Sequence, residues 1–177
     1  NVDIAIIETG LGGRLDSTNI LNPLVSLITN IGLDHKEFLG ANLKDIANEK
    51  AGIIKKDIPI VISEFQKETY PIFENKAHTT ETDIFLADNQ KKFKTDLSGD
   101  FQHKNINGVV KVISLLKDFS ISNKDIENGL LNIKKNTGLI GRFQILGDFP
   151  KVICDVGHNL DAFKVINNHI KSLKFKN

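Results

Sequence analysis

Three segments of this sequence carry side chains whose type and placement suit catalysis. The first is Glu8-Thr9-Gly10-Leu11-Gly12-Gly13-Arg14-Leu15-Asp16-Ser17-Thr18-Asn19, which follows the short apolar run Val2 to Ile7. That run, broken only by Asp3, reads as a buried strand. A carboxylate at the carboxyl end of a strand stands where open α/β sheets bind ligands, and it is a natural Mg²⁺ ligand. Three glycines in four positions let the backbone turn sharply or approach a ligand closely. Arg14 and Asp16 add a guanidinium and a second carboxylate. Two familiar phosphate loops are excluded. Counted from Gly10, the dinucleotide fingerprint needs a glycine where Leu15 stands, and no glycine in the chain is followed by lysine, as a Walker A loop requires. A glycine turn beside a solvated Glu8 is the plainer alternative, and the loop alone does not separate the two.

The second segment, Thr29-Asn30-Ile31-Gly32-Leu33-Asp34-His35, follows a strand-like stretch over 24–29 and places His35 at a second strand end. A single histidine is more often structural than a ligand, but this one would share a sheet edge with Glu8. The third segment is an amphipathic helix over 42–56, with Asn42 as its N-cap. Leu43, Ile46, Ala47, Ile53 and Ile54 define one apolar face, and Lys50 falls in its middle. A lysine buried there would be driven toward the neutral, nucleophilic amine. The alternative is a buried stem with its ammonium in water.

The elements that would position these groups alternate between strand and helix. Strands are expected at 59–63, 84–86, 93–97, 143–146 and 151–155. Helices are expected at 68–77 (interrupted by Pro71), 101–119, 123–133 and 159–173. Alternation of this kind predicts an α/β fold with a mainly parallel sheet flanked by helices. Gly138, Gly141 and Gly147 mark 136–148 as a hinge, dividing the chain into domains at 1–141 and 142–177. The chain opens within two residues of a strand without an initiator Met and ends just after a helix, so both ends read as cuts through a longer protein.

The motifs together resemble the folylpolyglutamate synthase and dihydrofolate synthase family of the Mur ligase superfamily. The quoted glycine segment is similar to that family's signature. Thr29 to His35 resembles its Thr-Asn-Ile-x-x-Asp-His, and Ile46-Ala47-Asn48-Glu49-Lys50-Ala51-Gly52-Ile53-Ile54-Lys55 resembles its Ile-Ala-x-Glu-Lys-Ala-Gly-Ile-Ile-Lys. Leu97 to Asn105, Gly141-Arg142 and Asp155-Val156-Gly157-His158-Asn159 follow in the family's order. Val156-Gly157 stands where the family has Gly-Ala.

The resemblance implies part of a P-loop-type central ATP-binding domain, its phosphate loop lying upstream, and the start of a second, Rossmann-like α/β domain. It implies Mg²⁺, one or two ions, on Glu8, His35 and Lys50, with Lys50 carbamylated. It implies Asn105 at the adenine, Arg142 at the ATP phosphates, Asp155 at the ribose, and His158 as a catalytic residue near the phosphates or the incoming amine. Arg14 and Asp16 would lie near the pterin-bearing substrate. The implied activity is an ATP-dependent ligase of folate biosynthesis and one-carbon metabolism. It would join L-glutamate to dihydropteroate or a folate through an acyl phosphate, with the isolated chain inactive. Another Mur-type amide ligase and a non-catalytic binding module are the alternatives.

Composition fits a globular enzyme. Of 177 residues, 40% are hydrophobic and 25% charged, and 23 basic against 22 acidic side chains leave no strong field to favour nucleic acid or membrane. No apolar run is long enough for a bilayer. One cysteine, Cys154, excludes an intrachain disulfide and is expected to pack in the core. A cytoplasmic monomer acting on small molecules is the resulting expectation.

Overall fold

The computed structural model describes residues 2–87, 92–99 and 101–173. Three short strands, β1 (Ser26–Ile28), β2 (Ile60–Ile62) and β3 (Ile84–Leu86), form a parallel sheet in that order. Ser26 pairs with Ile60, and Ile60 with Ile84. Every residue of β2 is buried. A central parallel strand covered on both faces is read as an unbroken apolar run, which Ile60-Val61-Ile62 is.

Helices α1 (Lys36–Leu39) and α2 (Leu43–Lys50) connect β1 to β2, and α3 (Tyr70–Thr79) connects β2 to β3. Asn42 caps α2 as expected, its Oδ1 accepting the N–H groups of Lys44 and Asp45 at 2.9 and 3.0 Å. A 3-10 turn over Ala51–Ile53 extends the helix. Pro71 sits in the first turn of α3 instead of interrupting it, because proline's missing N–H costs nothing there. Ile46, Ala47, Ala51, Ile54, Phe73 and Ala77 close one apolar core over the sheet with Ile28, Ile60 and Ile62. Helix α4 (Gln102–Leu115) lies against β1 and β2 at Gly108, where an added Cβ would overlap the Ser63 hydroxyl. It shares a smaller core, built on Phe93, Ile106 and Leu130, with α5 (Asn123–Leu131). Ser122 and Asp125 close a capping box at the start of α5. Helix α6 (Ile133–Thr137) ends on Gly138 in the left-handed region.

After α6 the pattern changes. β4 (Gln144–Asp148) and β5 (Lys151–Cys154) form a separate antiparallel hairpin, with Leu146 the unpaired residue of a bulge. Helix α7 (Leu160–Ser172) follows, capped by Asn159.

Three expectations fail. Val2 to Ile7 forms no strand: it is exposed, Ile6 to 96%. A parallel strand needs neighbours to take its N–H and C=O groups, and among the described residues none pairs with it. Residues 93–97 are irregular; Phe93 is buried by packing on Ile106 and Leu130, not by a ladder. Cys154 is exposed: it lies at the end of β5, which among the described residues pairs with β4 alone.

Candidate functional site

The glycine segment and the end of α2 are bound to one another along their length. The Arg14 N–H donates to the Glu49 carbonyl at 2.8 Å. The Arg14 guanidinium grips the Glu49 carboxylate through Nε and Nη2 at 3.0 to 3.2 Å. Asn19 Nδ2 donates to the carbonyls of Arg14 and Gly52, and Lys55 Nζ donates to those of Asn19 and Leu21. This closeness requires glycine at two places. A Cβ at Gly13 would come within 3.0 Å of the Glu49 carbonyl oxygen, and one at Gly52 within 2.3 Å of Arg14 Cα. The effect is to seat the glycine loop beside the helix turn that ends in Lys50.

Asp16 holds the loop's own shape. Its Oδ2 accepts the N–H groups of Gly10 and Leu11 at 2.8 and 3.0 Å, and its Oδ1 accepts that of Thr18 at 2.9 Å. The Thr18 hydroxyl bond, foremost, and these backbone donors hold its pKa down to about 2. Glu8, at the loop's start, is exposed and makes no side-chain hydrogen bond or ion pair among the described residues. Lys50 is half-buried at the last position of α2, so its stem is covered less than the apolar-face pattern implied.

The loop after β1 carries the next group. Ile31 is clamped by Gln66, from the loop after β2: Gln66 Oε1 accepts its N–H at 2.7 Å, and Gln66 Nε2 donates to its carbonyl at 2.8 Å. Sequence reading found no role for Gln66, since a glutamine in a loop carries no pattern. Beyond Ile31, His35 sits in the left-handed region at φ 49°, which histidine, Asn and Asp adopt more readily than other side chains, and opens α1.

Asp34, also unassigned from sequence, is the residue that joins this loop to the C-terminal segment. Its Oδ1 accepts the His35 N–H at 2.9 Å, and its Oδ2 accepts from Asn159 Nδ2 at 2.8 Å. His158 Nε2 lies 3.5 Å from the same Oδ2. The Asn159 bond, above all, draws the Asp34 pKa below its usual value, against the opposing effect of partial burial. Asp34, His35 and His158 present ligand atoms all within 4.8 Å of one another, and Glu8 is not part of that group. His35 and His158, predicted from separate motifs, are thus brought together. The signal for Asp34 was its place in the segment that carries His35.

None of the remaining candidates is among these three ligand groups. Asp155 accepts the Gly157 N–H on Oδ1 and the Phe143 N–H on Oδ2, both at 2.7 Å, fixing the turn between 141 and 157. Arg142, between Gly141 and Phe143, which both have positive φ, is exposed and without a side-chain partner among the described residues. Asn105 is half-buried in the first turns of α4 and donates to the buried Gln102 side chain at 3.2 Å. Asp100, within the same motif, lies outside the described residues.

Comparison with known proteins places these features. Probable dihydrofolate synthetase of Schizosaccharomyces pombe is 36% identical over 91% of the chain and 43% of its own length. Dihydrofolate synthase/folylpolyglutamate synthase of Bacillus subtilis is 32% identical over 96% and 45%. The chain therefore spans less than half the length of these relatives. An FPGS–AMPPCP–folate complex superposes with a TM-score of 0.88 at 26% identity, covering 98% of this chain and 48% of that one. The apo form of L. casei FPGS superposes with a TM-score of 0.86 at 26% identity, covering 99% and 48%. The Mur ligase middle domain matches residues 1–146, which take in the parallel sheet, both histidine- and lysine-bearing segments and the start of the hairpin, and the chain belongs to that family.

Proposed function

We propose that this chain supplies part of the ATP-binding middle domain, residues 1–141, and the start of the C-terminal domain, residues 142–177, of a ligase that joins L-glutamate to dihydropteroate or to a folate. What supports the reading is likeness along nearly the whole chain to enzymes named dihydrofolate synthase and folylpolyglutamate synthase, one of them solved with AMPPCP and folate. The substrate carboxylate attacks the γ-phosphorus of ATP, forming an acyl phosphate and releasing ADP. The glutamate amine then adds to the acyl carbon, and phosphate leaves as the amide forms.

In this reading Arg142 meets the phosphates with its planar fork of donors, Asn105 offers the adenine a donor and an acceptor, and Asp155 reaches the ribose. Arg14 and Asp16 act on the pterin-bearing substrate by shaping the loop that borders it. His158 lies close to the phosphates or the incoming amine. Mg²⁺ fits the donors at Glu8, His35 and Lys50 on chemical grounds: Glu8 has an uncommitted carboxylate, and Lys50 would contribute a hard oxygen only as its carbamate. When bound, the ion neutralises charge on the transferring phosphoryl group. A cytoplasmic, monomeric enzyme is part of the proposal; among the described residues no helix is long and apolar enough to cross a membrane.

The sequence contains no glycine followed by lysine, so the chain carries no Walker A phosphate loop. The expected result is that the 177-residue chain binds ATP weakly and releases no ADP, whereas a polypeptide joining it to a phosphate-loop segment releases ADP only with dihydropteroate or folate and glutamate present. Micromolar ATP affinity of the chain alone, or ADP release driven by a muramyl substrate instead, would overturn the reading.

A further inference from the structure

We infer that the groove between α2 and α3 is a binding site for a small polyanion, an organic molecule carrying two or more phosphate or carboxylate groups. None of its residues enters the ligase reading, and the inference does not depend on that reading.

The groove follows from how the two helices are used. Ile46 and Ala47 of α2 and Phe73 and Ala77 of α3 are committed to one core over the sheet. Between the helices, an open groove of about 740 Å³ remains. That volume falls in the range of small-molecule sites, roughly 300–1,000 Å³. The helices that bound it have only 8 and 10 residues, so its length suits a small molecule better than a strand of nucleic acid.

Helix periodicity sets the lining. Lys44 and Asn48 stand one turn apart on α2, and Ile72, Asn75 and Lys76 share a face of α3. Lys67 and Glu68 come from the turn that leads into α3. Ile72 also packs against the main core, so the fold fixes the floor beneath the lysines.

Charge then selects the ligand. Lys44, Lys67 and Lys76 face one carboxylate, Glu68, in a chain whose 23 basic and 22 acidic residues otherwise nearly cancel. Among the described residues none of these three lysines makes an ion pair or a side-chain hydrogen bond, and Glu68 takes none of them. Elsewhere a lysine beside a carboxylate closes on it, as Lys56 does on Glu81, Lys104 on Glu64 and Lys151 on Asp148. Charges of one sign lining a cleft focus its field and raise the local concentration of the opposite ion. Each ammonium brings three donors and no acceptor. Engaging several of them together takes a ligand with more than one anionic group. The Asn75 amide is also uncommitted, and the Asn48 amide spends only its Nδ2, on the Lys44 carbonyl. Pro71 and Ile72 add apolar surface, which a carbon scaffold between the anionic groups would cover.

The test is a titration of the isotope-labelled protein with tripolyphosphate and, separately, with citrate, at constant ionic strength and followed by amide NMR. The expected result is saturable movement of the Asn48, Ile72, Asn75 and Lys76 signals, with none from sodium chloride. Tighter binding of tripolyphosphate assigns the anionic groups as phosphates, and tighter binding of citrate assigns them as carboxylates. Lys44→Gln, Lys67→Gln and Lys76→Gln should each weaken binding by roughly two- to fivefold, and the three together by roughly tenfold or more. Glu68→Gln removes the groove's negative charge and should tighten binding by roughly twofold, a gain that a damaged fold does not produce. Lys151→Gln, in the hairpin, should bind as the parent does. The inference is overturned if neither anion gives saturable movement at these residues, if the triple variant binds as tightly as the parent, or if Glu68→Gln binds more weakly. Movement confined to the glycine loop or the start of α4 would overturn it too, by placing the anion elsewhere.

Discussion

Gln66 holds the histidine-bearing loop by two hydrogen bonds to a single residue, and removing them has a cost that can be worked from the structure. Ile31, which receives both bonds, is 3% exposed, so its N–H and carbonyl cannot turn to bulk water instead. In Gln66→Ala the two bonds are lost at a net value of about 1 kcal/mol each, and stranding the buried backbone groups raises the total to about 2–4 kcal/mol. With a urea dependence of about 2 kcal/mol per molar, the unfolding midpoint should fall by roughly 1–2 M with the slope unchanged. Gln66→Glu keeps the volume and one acceptor but replaces the donor with a second oxygen facing the Ile31 carbonyl, and should give at least half that loss. Amide exchange read residue by residue separates this effect from general loosening: protection should fall at Ile31 before it falls in β2. A midpoint for Gln66→Ala within about 0.2 M of the parent, with Ile31 protection intact, would refute the account of how this loop is held.

Three further predictions concern glycine contacts and the Asp16 carboxylate. Gly52→Ala must push Arg14 away, since the new Cβ would lie 2.3 Å from Arg14 Cα, and should destabilise the protein by roughly 1–3 kcal/mol. Gly129→Ala in α5 meets nothing within 4 Å and should stabilise it by roughly 0.5–1 kcal/mol; denaturation midpoints moving in the same direction would contradict the pair. The Asp16 pKa of about 2 lies below the usual carboxylate value of about 3.9, so its contribution is complete above the higher value and disappears as pH falls through the lower. Carboxyl titration followed by NMR should show the low midpoint, and the amides of Gly10, Leu11 and Thr18 should lose protection between pH 4 and 2; a midpoint near 3.9 would sink the argument.

Where local rules decide structure, the elements were legible from sequence. Asn42 before Leu43 marks a helix start because its side chain can satisfy two orphan N–H groups, and that bond forms. The unbroken Ile60-Val61-Ile62 run forms the buried central strand for the same kind of reason. The failures come from partners that sequence patterns do not reveal. Val2 to Ile7 has strand composition, but a strand is a relation between two segments, and among the described residues no second one lies beside it. Phe93 to Leu97 has a buried aromatic without a ladder. Long-range polar clamps were equally hidden: nothing in the spacing of Gln66 and Ile31, or of Asp34 and Asn159, shows that each pair is in contact.

The residues that resemble family motifs divide by whether their hydrogen-bonding capacity is already used. Arg14, Asp16, Asn19, Glu49 and Lys55 are committed to one another or to the backbone between them. Replacing any of them would disturb the shape of the loop. Glu8, Lys50 and Arg142 make no side-chain bonds among the described residues, whereas His158 is engaged with the Val156 carbonyl and the Asp34 carboxylate. A group that must bind phosphate, metal or amine needs donors or lone pairs not already taken by the fold. Sequence likeness cannot make this distinction, because a clamp residue and a ligand residue are equally part of the motif. Coordinates make it by accounting for each donor and acceptor, and among the described residues Glu8, His35, Lys50 and Arg142 are motif side chains whose hydrogen-bonding capacity the fold leaves unused.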